Sequence, residues 1–336
     1  LNTRKKVVSL DKLSDKMKHL IQSKLDPAVD IVFCEQESDK DIHLSSADVL
    51  ITFTKGISKA WLEQAAQCRF IQKLGAGVNN IDLETAARKG IPVSNTKGQN
   101  ARSVAEHAVL LMMSVYKHII TAHNEMVLNG KWLKTELRDR SYELSQKKVG
   151  LVGFGAIGKE VANLLRGFQC EIRYYDVNRL SDEQETKTNV SFMEFEPLLA
   201  ESDVISLHVP FNQHTYHLIN EENLKLMKPT AILINTCRGG IVDEQALYQS
   251  LKNRQILGAG LDVFENEPLE QNDLLTTLNN VVLTPHIGGG TVEAMENVVD
   301  KACRNINHFL LSGTPYDEAD VVNLSTLKLS GNQQKW

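Results

Sequence analysis

Cysteine is sparse and unordered in this chain. Its five cysteines, at positions 34, 68, 170, 237 and 303 of 336 residues, are odd in number and never fall in C-x-x-C spacing. That argues against a disulfide framework and a zinc site, and a reducing, cytoplasmic setting is expected. Positive charge is also short: the net charge is −5, and no sustained basic run occurs beyond residues 4–6. Nucleic acid and anionic membrane are therefore not expected as partners. The longest apolar stretch, 108–115, falls well below the roughly 20 residues that span a bilayer. No signal-peptide pattern is visible. The chain opens on Leu1 rather than Met, so native residues are expected to precede it. No internal repeat, low-complexity linker or carboxy-terminal regulatory extension is apparent.

What is present is ordinary for a globular protein, with 42% hydrophobic and 24% charged residues. The length suffices for two domains. Short apolar runs at 7–10, 31–34, 48–53, 69–74 and 91–94 alternate with helical patterns, which predicts a small doubly wound α/β lobe over the first hundred residues. A long helix is expected over 101–119, leading out of that lobe. Residues 120–146 are mixed, with Trp132 and Leu133 among charges; they read equally as a self-association arm or a surface excursion. A second alternation follows, with strands near 148–152, 171–175, 203–207, 231–234, 256–261 and 281–284. Five or six parallel strands make a Rossmann-type sheet. A final helix is expected over 291–311, the tail 314–323 is expected to return to the first lobe, and the last dozen residues to fray.

The second lobe opens on a glycine turn. Val149, Leu151 and Val152 lead into Gly153, Gly155 and Gly158, spaced G-x-G-x-x-G, and Ile157, Val161, Leu164 and Leu165 continue at helical spacing. Such glycines make a tight turn, admit a pyrophosphate to the backbone and let helix pack on strand. The helix start, around Ala156, offers free N–H groups to phosphate. The next strand ends in Asp176, 18 residues past Gly158. A carboxylate there accepts bonds from ribose hydroxyls and repels a 2′-phosphate, so NAD is expected over NADP.

Three ionisable residues follow later strands: Arg238, Glu267 and His286. Ligands in open α/β sheets sit beyond the carboxyl ends of the strands, so these side chains can converge beside a nicotinamide. Hydride transfer at an alcohol carbon needs an acid/base at the oxygen, a role suited to histidine. A carboxylate bonded to the imidazole fixes its tautomer and favours the imidazolium. Arginine offers forked donors to a carboxylate or carbonyl. Other histidines read as bland: His208 as pocket wall, His214 and His217 as surface, and His107 as structural. Cys237 reads as a packing residue, since hydride transfer needs no thiol.

The runs Asn235-Thr-Cys-Arg-Gly-Gly-Ile-Val-Asp-Glu244, Gly260-Leu-Asp-Val-Phe-Glu-Asn-Glu-Pro268 and Thr284-Pro-His-Ile-Gly-Gly289 resemble the D-isomer-specific 2-hydroxyacid dehydrogenase family, in its glyoxylate/hydroxypyruvate reductase and phosphoglycerate dehydrogenase-like branch. So do Leu74-Gly-Ala-Gly-Val-Asn-Asn-Ile-Asp82, Val104-Ala-Glu-His107 and Leu207-His-Val-Pro210. The resemblance spans about residues 45–325.

It implies a flavodoxin-like substrate lobe and a Rossmann NAD-binding lobe, with a cleft between them. The substrate lobe would be discontinuous, with 1–99 first, 100–290 binding NAD and 291–336 returning, and the lobes would close about hinges near 100 and 290. His286 would be the acid/base with Glu267 as its partner, and Arg238 would hold the substrate's carboxylate and carbonyl. The amides of Ala76 and Gly77 would grip the carboxylate, and Asn100 and Val104 would face the cleft. Asp262 would meet the nicotinamide amide. His208, Val209, Pro210, Thr236 and Cys237 would line the cofactor pocket. Family members are usually homodimers acting on small 2-oxo and 2-hydroxy acids.

Two relatives of this chemistry are disfavoured. Formate dehydrogenases carry glutamine at the position of Glu267, and phosphite-oxidising enzymes carry lysine at that of Ala76. The alternative function is an NAD-sensing, corepressor-like scaffold on the same fold.

Overall fold

A computed structural model describes residues 4–329. The chain divides into two compact units. One runs to Asn100 and resumes at Val292; the other is Ala101–Thr291.

The first unit is built on five parallel strands: β1 (Lys5–Ser9), β2 (Val29–Phe33), β3 (Val49–Thr52), β4 (Phe70–Lys73) and β5 (Val93–Ser94). Their order is β2-β1-β3-β4-β5, the flavodoxin-like order. β3 and β4 are buried along their whole length, because helices cover both faces of a parallel sheet. The helix Val292–Ser312 supplies one cover: Val298, Val299, Ala302, Ile306 and Phe309 pack with Val7, Ile51 and Phe70. The Phe309 ring stacks on Phe70 at 4.6 Å.

The tail does return to this sheet. Val322 donates its amide to the Val93 carbonyl, and the Asn323 side chain bonds both the Val93 amide and the Ile91 carbonyl. Fraying of the last dozen residues is not what is found for 325–329, which belong to the helix Leu324–Leu329 and bury Leu327; 330–336 lie outside the described residues.

The second unit has seven parallel strands: β6 (Lys148–Val152), β7 (Glu171–Tyr175), β8 (Ser191–Phe192), β9 (Val204–Leu207), β10 (Ile232–Asn235), β11 (Gly258–Leu261) and β12 (Val281–Leu283). Their order is β12-β11-β10-β9-β6-β7-β8, which reverses direction at β6 and β9. That switch point is where a doubly wound sheet opens a ligand crevice. The expected five or six strands omitted β8, whose two residues are too short to carry a pattern, and the helix Asp182–Thr188 before it.

The helix expected over 101–119 ends at Tyr116. His118 adopts a left-handed conformation (φ 50°), and a separate helix, Ile119–Asn129, leaves at a new angle. Helix interiors do not accept that conformation, so the chain turns there. Neither this helix nor Lys134–Arg138 buries a residue. By contrast, Ala101–Tyr116 buries eleven of its sixteen residues against the helix Ala156–Leu165 and the sheet.

Candidate active site

The glycine turn sits between β6 and the helix Ala156–Leu165. Each outer glycine is sterically required. A Cβ on Gly153, whose φ is 96°, would lie 2.5 Å from the His208 carbonyl oxygen, and one on Gly158 would lie 2.4 Å from that of Gly153. Gly155 faces open space, with nothing within 4 Å of a Cβ position. It caps the helix without a side chain, so the first-turn amides, those of Ala156 and Ile157 among them, have no partner within the helix.

Asp176, just beyond β7, accepts the Phe154 amide at 2.7 Å and the Asn178 amide at 2.9 Å. It is thereby fixed beside the turn.

The rim of this crevice holds two buried polar atoms with no partner, His208 Nδ1 and Thr236 Oγ1. They follow β9, which borders the switch point, and its neighbour β10. Burial pushes His208 down to about 3, so its ring is neutral; its Nε2 lies 2.9 Å from Ser206 Oγ. Val209 is half-buried against Gly153, and Pro210 is exposed. Orphaned polar groups, open space at the central glycine and a bare helix start together fit a dinucleotide. Cys237 is buried, with its thiol on the Leu207 carbonyl and pushed up to about 12, so it is inert packing as expected.

Arg238 follows β10. Its Nη1 donates to the Cys237 carbonyl, and among the described residues it forms no ion pair. Glu267 follows β11 and His286 follows β12. The His286 ring meets Glu267 Oε2 through Nδ1 at 2.7 Å, while Glu267 Oε1 accepts the Phe264 amide at 3.1 Å. The charged acceptor makes Nδ1 the donor and leaves Nε2 on the outer side of the ring. Both side chains remain solvent-accessible. His286 itself is left-handed, with φ 53°.

Asp262 is more heavily engaged than the sequence implied. Its Oδ1 accepts Thr284 Oγ1 at 2.6 Å and the Ile287 amide at 2.9 Å, and its Oδ2 accepts the Gly288 amide at 2.8 Å. Burial pushes this carboxyl up, but the bonds from His107, Thr284 and the two amides outweigh it and hold the group below the usual carboxylate range. The expectation of a surface position for His217 is corrected: it is half-buried, 3.0 Å from Glu265 Oε1. His214 is exposed.

Sequence reading also overlooked Glu244. It accepts the Glu265 amide at 2.7 Å and is pushed up to about 7, first by burial and then by the charges of Glu265, Asp273 and Glu267. Val104 is buried in the first turn of its helix, and Asn100 is half-buried just before that helix.

In the first unit, the loop after β4 starts at Gly75 (φ 127°). Thr96 braces it by accepting the Gly75 amide at 2.7 Å, and Asn95 donates to the Ala76 carbonyl at 2.8 Å. Among the described residues the amides of Ala76 and Gly77 donate to nothing. No cluster of potential metal ligands occurs among the described residues, and no helix there is long and apolar enough to cross a membrane.

Residues 109–288 match the family model of the D-isomer specific 2-hydroxyacid dehydrogenase NAD binding domain. The chain belongs to this family. A glyoxylate reductase of Thermococcus litoralis is 43% identical over 274 residues, covering 80% of this chain and 82% of the relative. A hydroxypyruvate reductase of Thermotoga maritima is also 43% identical, over 239 residues, covering 70% of this chain and 76% of the relative. Among solved structures, the acyclic imino acid reductase Bsp5, in complex with NADPH and D-Arg, is 30% identical with a TM-score of 0.79 and covers 95% of this chain and 99% of its own. This D-2-hydroxyacid dehydrogenase thus carries its nicotinamide-cofactor domain in the second of two parallel-sheet α/β units.

Proposed function

We propose that this dehydrogenase reduces a small 2-oxo acid, glyoxylate or hydroxypyruvate first, to the D-2-hydroxy acid, with NADH preferred over NADPH. The His286–Glu267 pair carries this reading. It presents an imidazole Nε2 beyond the carboxyl end of the sheet, with Arg238 following a strand of the same sheet.

The bound nicotinamide supplies the hydride. His286 Nε2 gives a proton to the substrate oxygen as C2 is reduced, and takes it back in the reverse direction. Glu267 accepts from Nδ1 and orients the ring, so Nε2 is the atom turned to the substrate oxygen. Arg238 donates to the substrate's carboxylate and carbonyl, orienting one and polarising the other. In the first unit, the free amides of Ala76 and Gly77 are donors suited to a carboxylate. Gly155, Ala156 and Ile157 would hold the phosphates, and Asp176 would take the ribose hydroxyls. Asp262 keeps one unused lone pair on Oδ2 for the nicotinamide amide. His208 Nδ1 and Thr236 Oγ1, which lack partners in the protein, would find them on the cofactor.

Self-association as a homodimer is proposed for the arm of the second unit. Ile119, Ile120, Met126, Val127, Leu128 and Trp132 are exposed there, Trp132 by 76%, and a solvated monomer rarely displays such a cluster. All five cysteines are free and buried, in keeping with a cytoplasmic setting.

The test is turnover of glyoxylate, hydroxypyruvate and pyruvate with NADH and with NADPH, by wild type and by His286→Ala. Wild type should turn over at least one acid, and the variant should lose orders of magnitude of that rate while still binding NADH. A wild-type protein that binds NADH and reduces none of them would favour the corepressor-like scaffold instead. Full activity in His286→Ala would remove His286 from the chemistry.

A further inference from the structure

The helix Ala101–Tyr116 is almost wholly apolar on its inner face, yet two polar side chains one turn apart, Ser103 and His107, point from it to the loop that carries His286. Ser103 Oγ donates to the Gly288 carbonyl at 2.7 Å. His107 Nε2 lies 2.9 Å from Thr284 Oγ1 and 3.3 Å from Asp262 Oδ1. The Thr284 hydroxyl spends its single proton on Asp262, at 2.6 Å. The Thr284 oxygen can then only accept from His107, so Nε2 carries hydrogen. Asp262 in turn holds the amides of Ile287 and Gly288.

The packing leaves no slack. The side chains of His107 and Asp262 are 11% and 2% exposed. A Cβ at Gly288 would lie 2.9 Å from Asp262 Oδ2 and 3.3 Å from the His107 ring. His286 stands inside this clamped segment, in a left-handed conformation that side chains with a Cβ adopt only when their surroundings impose it. Hydrogen bonds within 284–290 alone are few: His286 to the Thr284 carbonyl, and Gly290 to that of Ile287. Further restraint comes from the Leu261 carbonyl, which accepts the Thr284 amide at 3.0 Å, from Glu267 on the His286 ring, from Asp262 and from the helix.

We propose that His107 is a positioning residue for the reaction, acting through Thr284 and Asp262 to hold the 284–288 loop so that His286 stays presented to Glu267 and to substrate. This rests on the dehydrogenase reading of the site given above. His107 would touch neither substrate nor cofactor. Its contribution is a hydrogen-bond donor at one point in a buried network.

The chemical discriminant is the donor. His107→Leu removes it and keeps the bulk, whereas His107→Gln places an amide N–H near the Nε2 position. Thr284→Val removes the middle link without touching the helix. In His107→Leu, kcat for 2-oxo acid reduction should fall at least tenfold, with the KM for NADH changed less than threefold. His107→Gln should recover to within threefold of wild type, and Thr284→Val should resemble His107→Leu. Hydrogen exchange at the Ile287 and Gly288 amides should quicken about tenfold in the Leu and Val variants and remain slow in the Gln variant.

A folded His107→Leu enzyme with kcat within twofold of wild type overturns the proposal, and so does a Gln variant as defective as the Leu variant. Should His107→Leu not fold, the Gln and Val variants decide by the same criteria. Should the wild type reduce no 2-oxo acid, the dehydrogenase reading fails, and the positioning claim is judged on exchange alone: unchanged Ile287 and Gly288 protection in the variants overturns it.

Discussion

Gly239 lies against Phe264 so closely that a Cβ on the glycine would fall 1.8 Å from the Phe264 carbonyl carbon and 2.1 Å from its oxygen. The contact joins the two loops whose side chains the proposed reaction would use. Gly239 directly follows Arg238, and Phe264 gives its amide to Glu267. Backbone against backbone fixes the spacing of the guanidinium from the acid/base pair more rigidly than any side-chain contact could.

Gly239→Ala should therefore be among the most damaging single-methyl changes in the chain. The added carbon cannot be absorbed by a rotamer, so the two loops must part. A loss of about 3 kcal/mol or more of stability is expected, together with at least a tenfold fall in kcat. Urea unfolding and steady-state kinetics check both. A variant with unchanged midpoint and rate would show that the loops tolerate separation.

Glu267→Gln separates charge from geometry at the acid/base pair. The amide oxygen can still accept from His286 Nδ1 at the site now occupied by Oε2, 2.7 Å away. What disappears is the negative charge beside the ring. Losing a partner of this kind typically costs 10–100-fold, so kcat for reduction should drop by about that factor. Glu267→Ala should be worse, because the ring then has no acceptor to orient it. Equal rates for the Gln and Ala variants would mean that orientation contributes nothing.

Glu244 gives the chain a pH-dependent stability that can be removed at one position. Its carboxyl is pushed up to about 7 from an ordinary 4.5, by burial first and by the charges of Glu265, Asp273 and Glu267 next. The folded state thus holds a proton that the unfolded chain releases from about pH 4.5 upward. Stability falls as pH rises between those values, and the full loss is present above about 7. Glu244→Gln keeps an acceptor for the Glu265 amide and abolishes the titration. Unfolding at pH 5 and pH 8 should show the variant gaining on wild type by about 1–2 kcal/mol at the higher pH, once solvent screening of a half-buried group is allowed for. A parallel pH dependence in both proteins would count against this account.

The parts that were legible from the sequence share one property: they are local. The G-x-G-x-x-G turn, the mostly apolar runs of β9 and β10 and the three ionisable residues after strands all declare themselves within about ten positions. The His107 network does not, because its members meet across 177 residues of sequence, and a histidine on an apolar helix face carries no sign of what it bonds. The break at His118 was equally silent. Its left-handed backbone comes with no glycine or proline that could be read in advance, and its ring meets the Arg140 carbonyl at 3.1 Å. β8 escaped notice because two residues are too few for a period, and the helix Leu324–Leu329 because only Leu327 is buried in it.

Cofactor choice should prove a two-part device at the end of β7. On the proposed reading Asp176 would supply the negative charge that disfavours a 2′-phosphate, and its carboxylate also holds the Phe154 and Asn178 amides. Removing the whole group would loosen the glycine turn, so Asp176→Asn, which keeps an acceptor, is the cleaner substitution. NADH binding should weaken about tenfold and NADPH binding should tighten by a similar factor, each near the worth of one charge-assisted hydrogen bond. Full inversion is not expected from this change. Arg179, the nearby cation suited to a 2′-phosphate, is held by Glu185 at 3.0 Å and lies over the Phe192 ring. Glu185 in turn accepts the Tyr174 hydroxyl at 2.9 Å and is well covered, so it does not readily release its partner. Adding Glu185→Gln to Asp176→Asn should free that guanidinium and improve NADPH binding further, by more than Glu185→Gln achieves alone. Fluorescence titration of the four proteins with NADH and NADPH measures the coupling. Strictly additive effects would mean that Arg179 plays no part in the discrimination and that Asp176 acts by itself.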